Sequence, residues 1–268
     1  MKKIISLDID GTLYNSQRQI TPATRAALLR AQEKGAVLVL ASGRPTSGLL
    51  PIAQQLDMWR HHGMLLAYNG GVVNDCMTGE AIYSCTIPVP LAKKLLRHLE
   101  KFPVNPIVDD GTTIYTTDPE GFQVPYESKS NHLDVIQVEN ICDAVDFSPA
   151  KILIAASEDV LQANMSAISQ PFAEEMSFVL SSPVYLEATP FGVNKADALR
   201  KTCEALGVST ADIIAFGDAQ NDIPMLEAAG CGICMCNGKD KVKQAADVVT
   251  ESDNNHDGLV PFLTGCRS

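Results

Sequence analysis

The chain has 268 residues, of which 46% are hydrophobic and 20% charged. This length suffices for a core domain and a second, smaller domain. Its net charge of -11 disfavours nucleic acid or an anionic membrane surface as a partner, and no apolar run has the length of a transmembrane helix. Acidic side chains come too early at the N-terminus for a signal peptide, so we expect a soluble cytoplasmic protein.

The first apolar run, Ile4-Ile5-Ser6-Leu7, predicts a buried parallel strand that ends at two carboxylates, Asp8 and Asp10. Side chains two positions apart on a strand point the same way, so we expect both carboxylates to face the crevice at the end of the strand. Two carboxylates there repel each other, and a positive group should therefore lie beside them.

Helix and strand patterns alternate over the next sixty residues. Thr21 and Pro22 are typical of the start of a helix, which is predicted over 22–34 and ended by Gly35. Apolar runs at 36–41 and 64–68 predict two more buried strands, with a helix to about residue 56 between them. This order implies a parallel, doubly wound, Rossmann-like α/β sheet with right-handed crossovers.

The pattern changes after residue 85. Strands are predicted on both sides of Asp110-Gly111, and further strands and helices alternate without the earlier rhythm. Strand pairs joined by turns indicate an α+β domain with an antiparallel sheet, inserted at 86–188, with hinges at 87–90 and 187–190. The predicted elements in this region are a helix at 91–101, strands at 135–138 and 151–156, a helix at 158–169, and strands at 177–180 and 184–187.

The α/β rhythm returns after residue 189, so the core is predicted to be discontinuous, 1–85 plus 189–268. The predicted elements are helices at 194–206, 222–229, 241–246 and 257–263, and strands at 212–216, 231–236 and 247–250. The run of Cys231, Cys234 and Cys236 is interpreted as part of a buried strand, because a structural zinc site needs a second ligand pair that the sequence does not offer at a fitting distance.

Chemically capable residues lie where the parallel strands are predicted to end. Asp8 and Asp10 follow the first strand, Ser42 follows the second, Asp218 follows the strand after the insertion, and Lys195 begins the helix that leads to it. In an open α/β sheet these ends face one crevice. Mg²⁺ takes oxygen ligands and is typically held by one or two carboxylates and a substrate phosphate, so this set predicts phosphoryl transfer.

The candidate roles divide into two groups. Asp8, Asp218 and the backbone carbonyl of Asp10 are the candidate Mg²⁺ ligands. The charge on a transferring phosphoryl group needs cationic and hydrogen-bond donors. The candidate phosphate-binding residues are Ile9, Ser42, Gly43, Lys195 and Asn221.

The ordered set of DIDGT at 8–12, Ser42, Lys195 and GDAQND at 217–222 resembles the motifs of the haloacid dehalogenase (HAD) superfamily of aspartate-nucleophile phosphatases. The insertion after the third strand resembles the Cof-type subgroup, whose large α/β cap selects the substrate. The resemblance implies that Asp8 is the nucleophile and Asp10 the general acid and base, and that Asp222 supports the site by reaching the metal through water or by orienting Lys195. Arg44 is a candidate supporting residue that contacts the substrate or lies on the surface. The family usually has Gly after the motif lysine, where this chain has Ala196.

The resemblance further implies a Mg²⁺-dependent phosphatase acting on a small phosphorylated metabolite. Sugar phosphates are the first candidates, with flavin mononucleotide and pyridoxal phosphate as further ones. Two alternatives stay open at this point: a phosphomutase on the same scaffold, and a non-catalytic protein that binds a phosphate ligand.

Overall fold

A computed structural model describes residues 3–264 of the chain. Within this range there are two β-sheets with α-helices packed on them, and no helix combines the length and hydrophobicity that a membrane span requires. The strands are β1 (Ile4–Leu7), β2 (Val37–Ala41), β3 (Met64–Ala67), β4 (Val72–Asp75), β5 (Ala81–Ser84), β6 (Asn105–Asp109), β7 (Thr113–Thr116), β8 (Asp134–Gln137), β9 (Ile152–Ala155), β10 (Met176–Ser182), β11 (Tyr185–Pro190), β12 (Ile213–Gly217), β13 (Cys231–Cys234) and β14 (Val248–Val249). The α-helices are α1 (Pro22–Glu33), α2 (Thr46–Gln55), α3 (Val89–Leu99), α4 (Val124–Asn131), α5 (Ile141–Ala144), α6 (Glu158–Ser169), α7 (Lys195–Leu206), α8 (Ile223–Ala228), α9 (Asp240–Ala245) and α10 (Val260–Leu263).

The chain forms two compact units. The core unit contains residues 3–43, 49–83 and 194–264, and the inserted unit contains residues 44–48 and 84–193. The predicted boundaries, 85/86 and 188/189, lie a few residues from these divisions, and the sequence did not indicate that residues 44–48 group with the inserted unit. Val89 begins α3 and residues 187–190 belong to β11, so the predicted hinges coincide with the ends of elements, and motion there stays a prediction.

The core unit is built on an eight-stranded sheet in the order β14-β13-β12-β1-β2-β3-β4-β5. The strands from β14 to β3 pair in parallel, which confirms the predicted doubly wound α/β class. Strand β1 lies between β2 and β12, where the direction of strand addition reverses, and this is where an open α/β sheet binds ligands. The antiparallel extension by β4 was not predicted.

The capping signal predicted at the start of α1 is confirmed, and α7 is capped in the same way. The Thr21 side chain accepts a hydrogen bond from the Thr24 N–H, and Asn194 does the same for Asp197. Gly207 ends α7 in the left-handed conformation, with φ of 66°. Lys195 is consequently the first residue of a well-capped helix, so the position of its backbone is fixed.

The inserted unit is built on a six-stranded sheet in the order β10-β11-β9-β6-β7-β8. Its strand pairs are antiparallel except for β7 with β8, which is parallel. The prediction of an antiparallel sheet was therefore wrong at this edge. Helices α3, α5 and α6 bury one face of this sheet, and Val124 of α4 packs on the other. Helices α4 and α5 were not predicted.

Phe172 is a central aromatic side chain of the inserted unit, 2% exposed and 5.4 Å from the His98 ring, centroid to centroid. We expect Phe172→Ala to lower the free energy of unfolding of this unit by about 3–5 kcal/mol, because the deletion leaves a cavity. The matched control is Phe191→Ala, which removes a ring that is 70% exposed and should change stability by about 0.5 kcal/mol or less. Urea unfolding, monitored by hydrogen exchange in peptides of the inserted unit, measures the unfolding free energy of both variants. Equal losses of unfolding free energy in the two variants would contradict this packing.

Candidate active site

The two carboxylates of the first motif lie in a tight turn after β1. The strand stops at Leu7, so Asp8 and Asp10 lie beyond it, and the expectation that both carboxylates face the crevice stays a prediction. The Asp8 N–H still donates to the Phe216 carbonyl of β12 at 3.0 Å. The turn buries Asp8 and leaves Asp10 exposed.

Hydrogen bonds within the turn hold its backbone. The Leu13 N–H donates to the Asp8 carbonyl at 3.2 Å, and the Tyr14 N–H donates to the Ile9 carbonyl at 2.8 Å. Gly11 has φ of 92°, a left-handed conformation in which a side chain is strained. The side chain of Ile9 is fully buried, so of the predicted phosphate-binding residues it can contribute only its backbone.

A positive group was expected beside Asp8 and Asp10, and Lys195 lies beside Asp8, but the second carboxylate that it contacts is Asp222. The Nζ of Lys195 lies 2.6 Å from Oδ1 of Asp8 and 2.6 Å from Oδ1 of Asp222, and its side chain is completely buried. Burial alone would lower the pKa of Lys195, but the charges of Asp222 and Asp8 raise it above its ordinary value. The ammonium group is therefore charged and fixed between two carboxylates.

Asp222 is directed at Lys195 and at the backbone. Its Oδ2 accepts hydrogen bonds from the N–H groups of Asp218 and Ala219, at 3.0 and 2.9 Å, while Oδ1 faces Lys195. This close approach depends on Gly217, because a Cβ there would lie 2.5 Å from the Cβ of Asp222. With both oxygens engaged, Asp222 acts here as an anchor for Lys195, one of the two roles that the sequence left open.

Asp218 completes the acidic cluster. Its Oδ1 accepts a hydrogen bond from the hydroxyl group of Thr12 at 3.0 Å, and Gly11 lies so close that a Cβ there would be 2.5 Å from Oδ2. Burial raises the pKa of Asp218, and the Thr12 hydrogen bond opposes that increase. The glycine and threonine of the first motif therefore position the aspartate of the last one.

The surroundings of Asp8 contain more negative than positive charge. Burial, together with the charge of Asp222, raises the pKa of Asp8 to about 8, although Lys195 opposes the increase. Three carboxylates of Asp8, Asp218 and Asp222 surround a single ammonium group, and one ligand atom from each can be chosen so that all lie within 4.8 Å of one another. The cluster is short of positive charge.

A divalent cation fits this donor set. Hard oxygen ligands on a partly buried, under-neutralised cluster are what Mg²⁺ binds in proteins. Because Asp222 is committed to Lys195 and the backbone, the carboxylates of Asp8 and Asp218 are the residues suited to direct ligation. The acidic cluster does not include the Asp10 carboxylate. The sequence had assigned Asp10 a ligand role through its carbonyl, and that role stays a prediction.

The three other predicted phosphate-binding residues, Ser42, Gly43 and Asn221, follow β2 and β12. Ser42 is buried directly after β2, and its carbonyl accepts a hydrogen bond from the Asn69 N–H at 2.8 Å. Asn221 donates from its amide to Oδ1 of Asn69 at 3.0 Å. A Cβ on Gly43 would lie 3.0 Å from the Asn69 amide nitrogen, so these residues form one small polar group. Arg44, half-buried, follows in the segment that groups with the inserted unit.

The sequence Asn69-Gly70 indicates no more than a turn, and the role of Asn69 in the structure is larger. Its φ of 56° places it in the left-handed region, which asparagine tolerates, and its side chain faces Asn221. The next residue, Gly70, approaches the start of α7 so closely that a Cβ would lie 2.4 Å from the Asn194 carbonyl oxygen. The Asn-Gly pair thus joins the end of β3 to the helix that carries Lys195, and that dipeptide was the available signal.

Comparison with known proteins agrees with this arrangement. The family model described as haloacid dehalogenase-like hydrolase matches residues 5–263. The chain belongs to the haloacid dehalogenase-like hydrolases. A solved haloacid dehalogenase-like hydrolase from Bacteroides thetaiotaomicron is 32% identical and superimposes with a TM-score of 0.93 over 100% of both chains.

Two relatives in this family have phosphatase names. The 5-amino-6-(5-phospho-D-ribitylamino)uracil phosphatase YitU from Bacillus subtilis (strain 168) is 30% identical, and the match covers 97% of this chain and 96% of the relative. The pyridoxal phosphate phosphatase YbhA from Escherichia coli (strain K12) is 27% identical, with 97% of each chain covered. The chain is therefore a hydrolase of a family that includes phosphatases of small phosphorylated compounds.

The contact between Gly11 and Asp218 can be tested against a glycine of the same backbone conformation. Gly11 and Gly35 have φ of +92° and +93°, but a Cβ at Gly35 meets no heavy atom within 4 Å. We expect Gly11→Ala and Gly35→Ala to cost about 1–2 kcal/mol of unfolding free energy each from the backbone conformation. Only Gly11→Ala should also weaken Mg²⁺ binding, by about tenfold or more, because it displaces a ligand. Calorimetric titration with Mg²⁺ measures this, and equal affinities in the two variants would contradict it.

The raised pKa of Asp8 predicts a pH-dependent stability. Between its ordinary pKa and about 8, the folded state holds a proton that the unfolded chain has released, so stability falls as pH rises through that range. In the presence of a chelator, wild type should lose more unfolding free energy than Asp8→Asn between about pH 5 and about pH 8. Urea unfolding at a series of pH values measures the two slopes. Parallel slopes would show that Asp8 is not the group responsible.

Proposed function

We propose that the protein is a Mg²⁺-dependent phosphatase that hydrolyses small phosphate monoesters through a covalent phosphate on Asp8. The observation that carries the proposal is the buried Lys195, whose ammonium group lies 2.6 Å from both Asp8 and Asp222. A carboxylate held rigidly by a buried cation, and beside a second carboxylate able to share a metal ion, is equipped to approach an anionic phosphate.

In the first step an oxygen of Asp8 forms a bond to phosphorus, and the bond between phosphorus and the ester oxygen breaks. Asp10 donates its proton to that oxygen, so the product leaves as an alcohol. Asp10 suits this task because it is exposed and lies two residues from the nucleophile, on the same tight turn. Asp8, held by Lys195, is the better nucleophile of the two.

In the second step a water molecule attacks phosphorus and Asp8 leaves as a carboxylate. Asp10, ionised by the first step, accepts the proton of the water and is ready for the next substrate. Lys195 interacts with Asp8 in both its free and phosphorylated states and can also neutralise a phosphoryl oxygen. The set of Ser42, Gly43 and Asn221 supplies further hydrogen-bond donors to that group.

Asp8 and Asp218 would hold the Mg²⁺, with Thr12 and Gly11 fixing the carboxylate of Asp218. When bound, the ion supplies positive charge that lowers the repulsion between the Asp8 carboxylate and the phosphate. This accounts for the shortage of positive charge in the acidic cluster.

The substrate is proposed to be a small phosphorylated metabolite, selected by the inserted unit as a cap. The names of the relatives include a phosphorylated ribitylamino compound and pyridoxal phosphate. Sugar and sugar-alcohol phosphates, and then cofactor phosphates such as pyridoxal phosphate or flavin mononucleotide, are therefore the panel to test first.

The direct test follows phosphate release from an aryl phosphate and from this panel, with Mg²⁺ and with excess chelator. We expect release that requires Mg²⁺, falls at least about a thousandfold in Asp8→Asn, and falls by about a hundredfold or more in Asp10→Asn. The matched control is Asp240→Asn, an exposed carboxylate of the core unit outside the acidic cluster, which should keep wild-type rates.

Three outcomes would contradict the proposal. Release that survives Asp8→Asn in a correctly folded variant would exclude the covalent route. Release only when a bisphosphorylated sugar is supplied would indicate a mutase. Binding of a phosphate ester without any turnover, measured by calorimetry, would indicate a non-catalytic binder.

A further inference from the structure

Two backbone carbonyls of the catalytic turn accept hydrogen bonds from side chains far away in the sequence. The amide of Asn237 donates to the carbonyl of Gly11 at 2.8 Å, and the amide of Asn254 donates to the carbonyl of Tyr14 at 2.7 Å. Gly11 directly follows Asp10, and Tyr14 ends the hydrogen-bonded turn. The exposed aspartate therefore lies in a turn whose backbone is held from outside at two points.

The two asparagines belong to loops that are themselves joined. The Asn254 N–H donates to Oδ1 of Asn237 at 3.2 Å, so the side-chain amide of Asn237 is engaged at both ends: its oxygen faces Asn254 and its nitrogen faces Gly11. The loop around Asn254 is fixed on α1 by Asp257, which accepts hydrogen bonds from the hydroxyl groups of Thr21 and Thr24. Helix α1 thus holds the loop of Asn254, and the side chains of Asn237 and Asn254 in turn hold the turn that contains Asp10.

The loop of Asn237 also contacts the other end of the site. The Lys239 N–H donates to the Asp218 carbonyl at 3.1 Å. Gly238 allows this approach, because a Cβ there would lie 3.1 Å from that carbonyl oxygen and 2.6 Å from Sγ of Cys234. The same short segment therefore fixes the backbone of the Asp10 turn relative to the backbone of Asp218.

We propose that Asn237 and Asn254 are positioning residues for Asp10, which set the location of its carboxyl group for proton transfer to the leaving group. The inference rests on the proposed function. Asparagine suits the role because its amide donates to a carbonyl without adding charge next to a cluster that must bind a cation. General acid catalysis depends on hydrogen-bond distance between the acid and the leaving oxygen, so a loosened turn should affect that step first.

The test compares two leaving groups in wild type, Asn237→Ala and Asn254→Ala. Nitrophenolate departs from an aryl phosphate without a proton, whereas the alkoxide of a sugar phosphate needs one. The alkyl substrate is the sugar phosphate that wild type hydrolyses fastest. We expect kcat/KM to fall by about tenfold or more for the alkyl phosphate and by less than about threefold for the aryl phosphate, as a weaker form of Asp10→Asn.

The matched control is Asn15→Ala. Asn15 follows Tyr14 and accepts hydrogen bonds from the N–H groups of Gln17 and Gln19, so its removal loosens the adjacent loop and leaves the carbonyls of Gly11 and Tyr14 bonded. The ratio of aryl to alkyl kcat/KM should stay at the wild-type value in this variant. Hydrogen exchange of the Leu13 and Tyr14 amides gives a readout that needs no turnover, and it should become faster in Asn237→Ala and Asn254→Ala but not in Asn15→Ala.

The outcomes separate the two proposals. If Asn237→Ala and Asn254→Ala remain active and their ratio of aryl to alkyl kcat/KM equals that of wild type, the positioning role is overturned and the phosphatase proposal stands. Unchanged amide exchange in both variants would overturn it as well, because the turn would then not depend on the two amides. Absence of turnover in wild type on every phosphate of the panel would instead reject the proposed function.

Discussion

The ammonium group of Lys195 lies between Asp8 and Asp222, and its side chain has no exposed surface. Each of these three charges would be costly to bury alone, and removing one partner of such a group leaves an uncompensated charge in the interior. The first residue of α7, the turn after β1 and the turn after β12 must therefore keep their relative positions. The cluster nevertheless remains short of positive charge, which is the condition for binding a divalent cation.

The rest of the core unit serves that constraint. Parallel pairing of β1 with β12 sets Leu7 opposite Phe216 and brings Asp8 to the same sheet edge as Asp218. Glycines permit the contacts there: Gly217 allows Asp222 to approach its backbone, and Gly11 allows Asp218 to approach the first turn. The fold thus brings together side chains from three separate stretches of the chain, and the long side chain of Lys195 links two of the carboxylates.

Sequence patterns predicted most of the core elements, because buried parallel strands are continuous apolar runs and the helix caps of α1 and α7 are strong local signals. They missed α4, which is preceded by a left-handed Gln123 that makes no side-chain capping bond, and α5, which is a single turn. Asp8 and Lys195 were identified through motif order. The contacts of Thr12 with Asp218 and of Asn237 with Gly11 join residues 206 and 226 positions apart, and local patterns carry no information on such pairs.

The central claim is that Asp8 accepts the phosphoryl group while Lys195 holds it in place. Acid quenching of the enzyme during turnover with Mg²⁺, followed by peptide mass spectrometry, measures this most directly, because an aspartyl phosphate survives acid better than base. We expect one added phosphoryl group on the peptide containing Asp8, with more of it in Asp10→Asn, where hydrolysis of the intermediate is slowed. A phosphoryl group on another residue, or active wild-type enzyme with none under conditions where Asp10→Asn also shows none, would contradict the account.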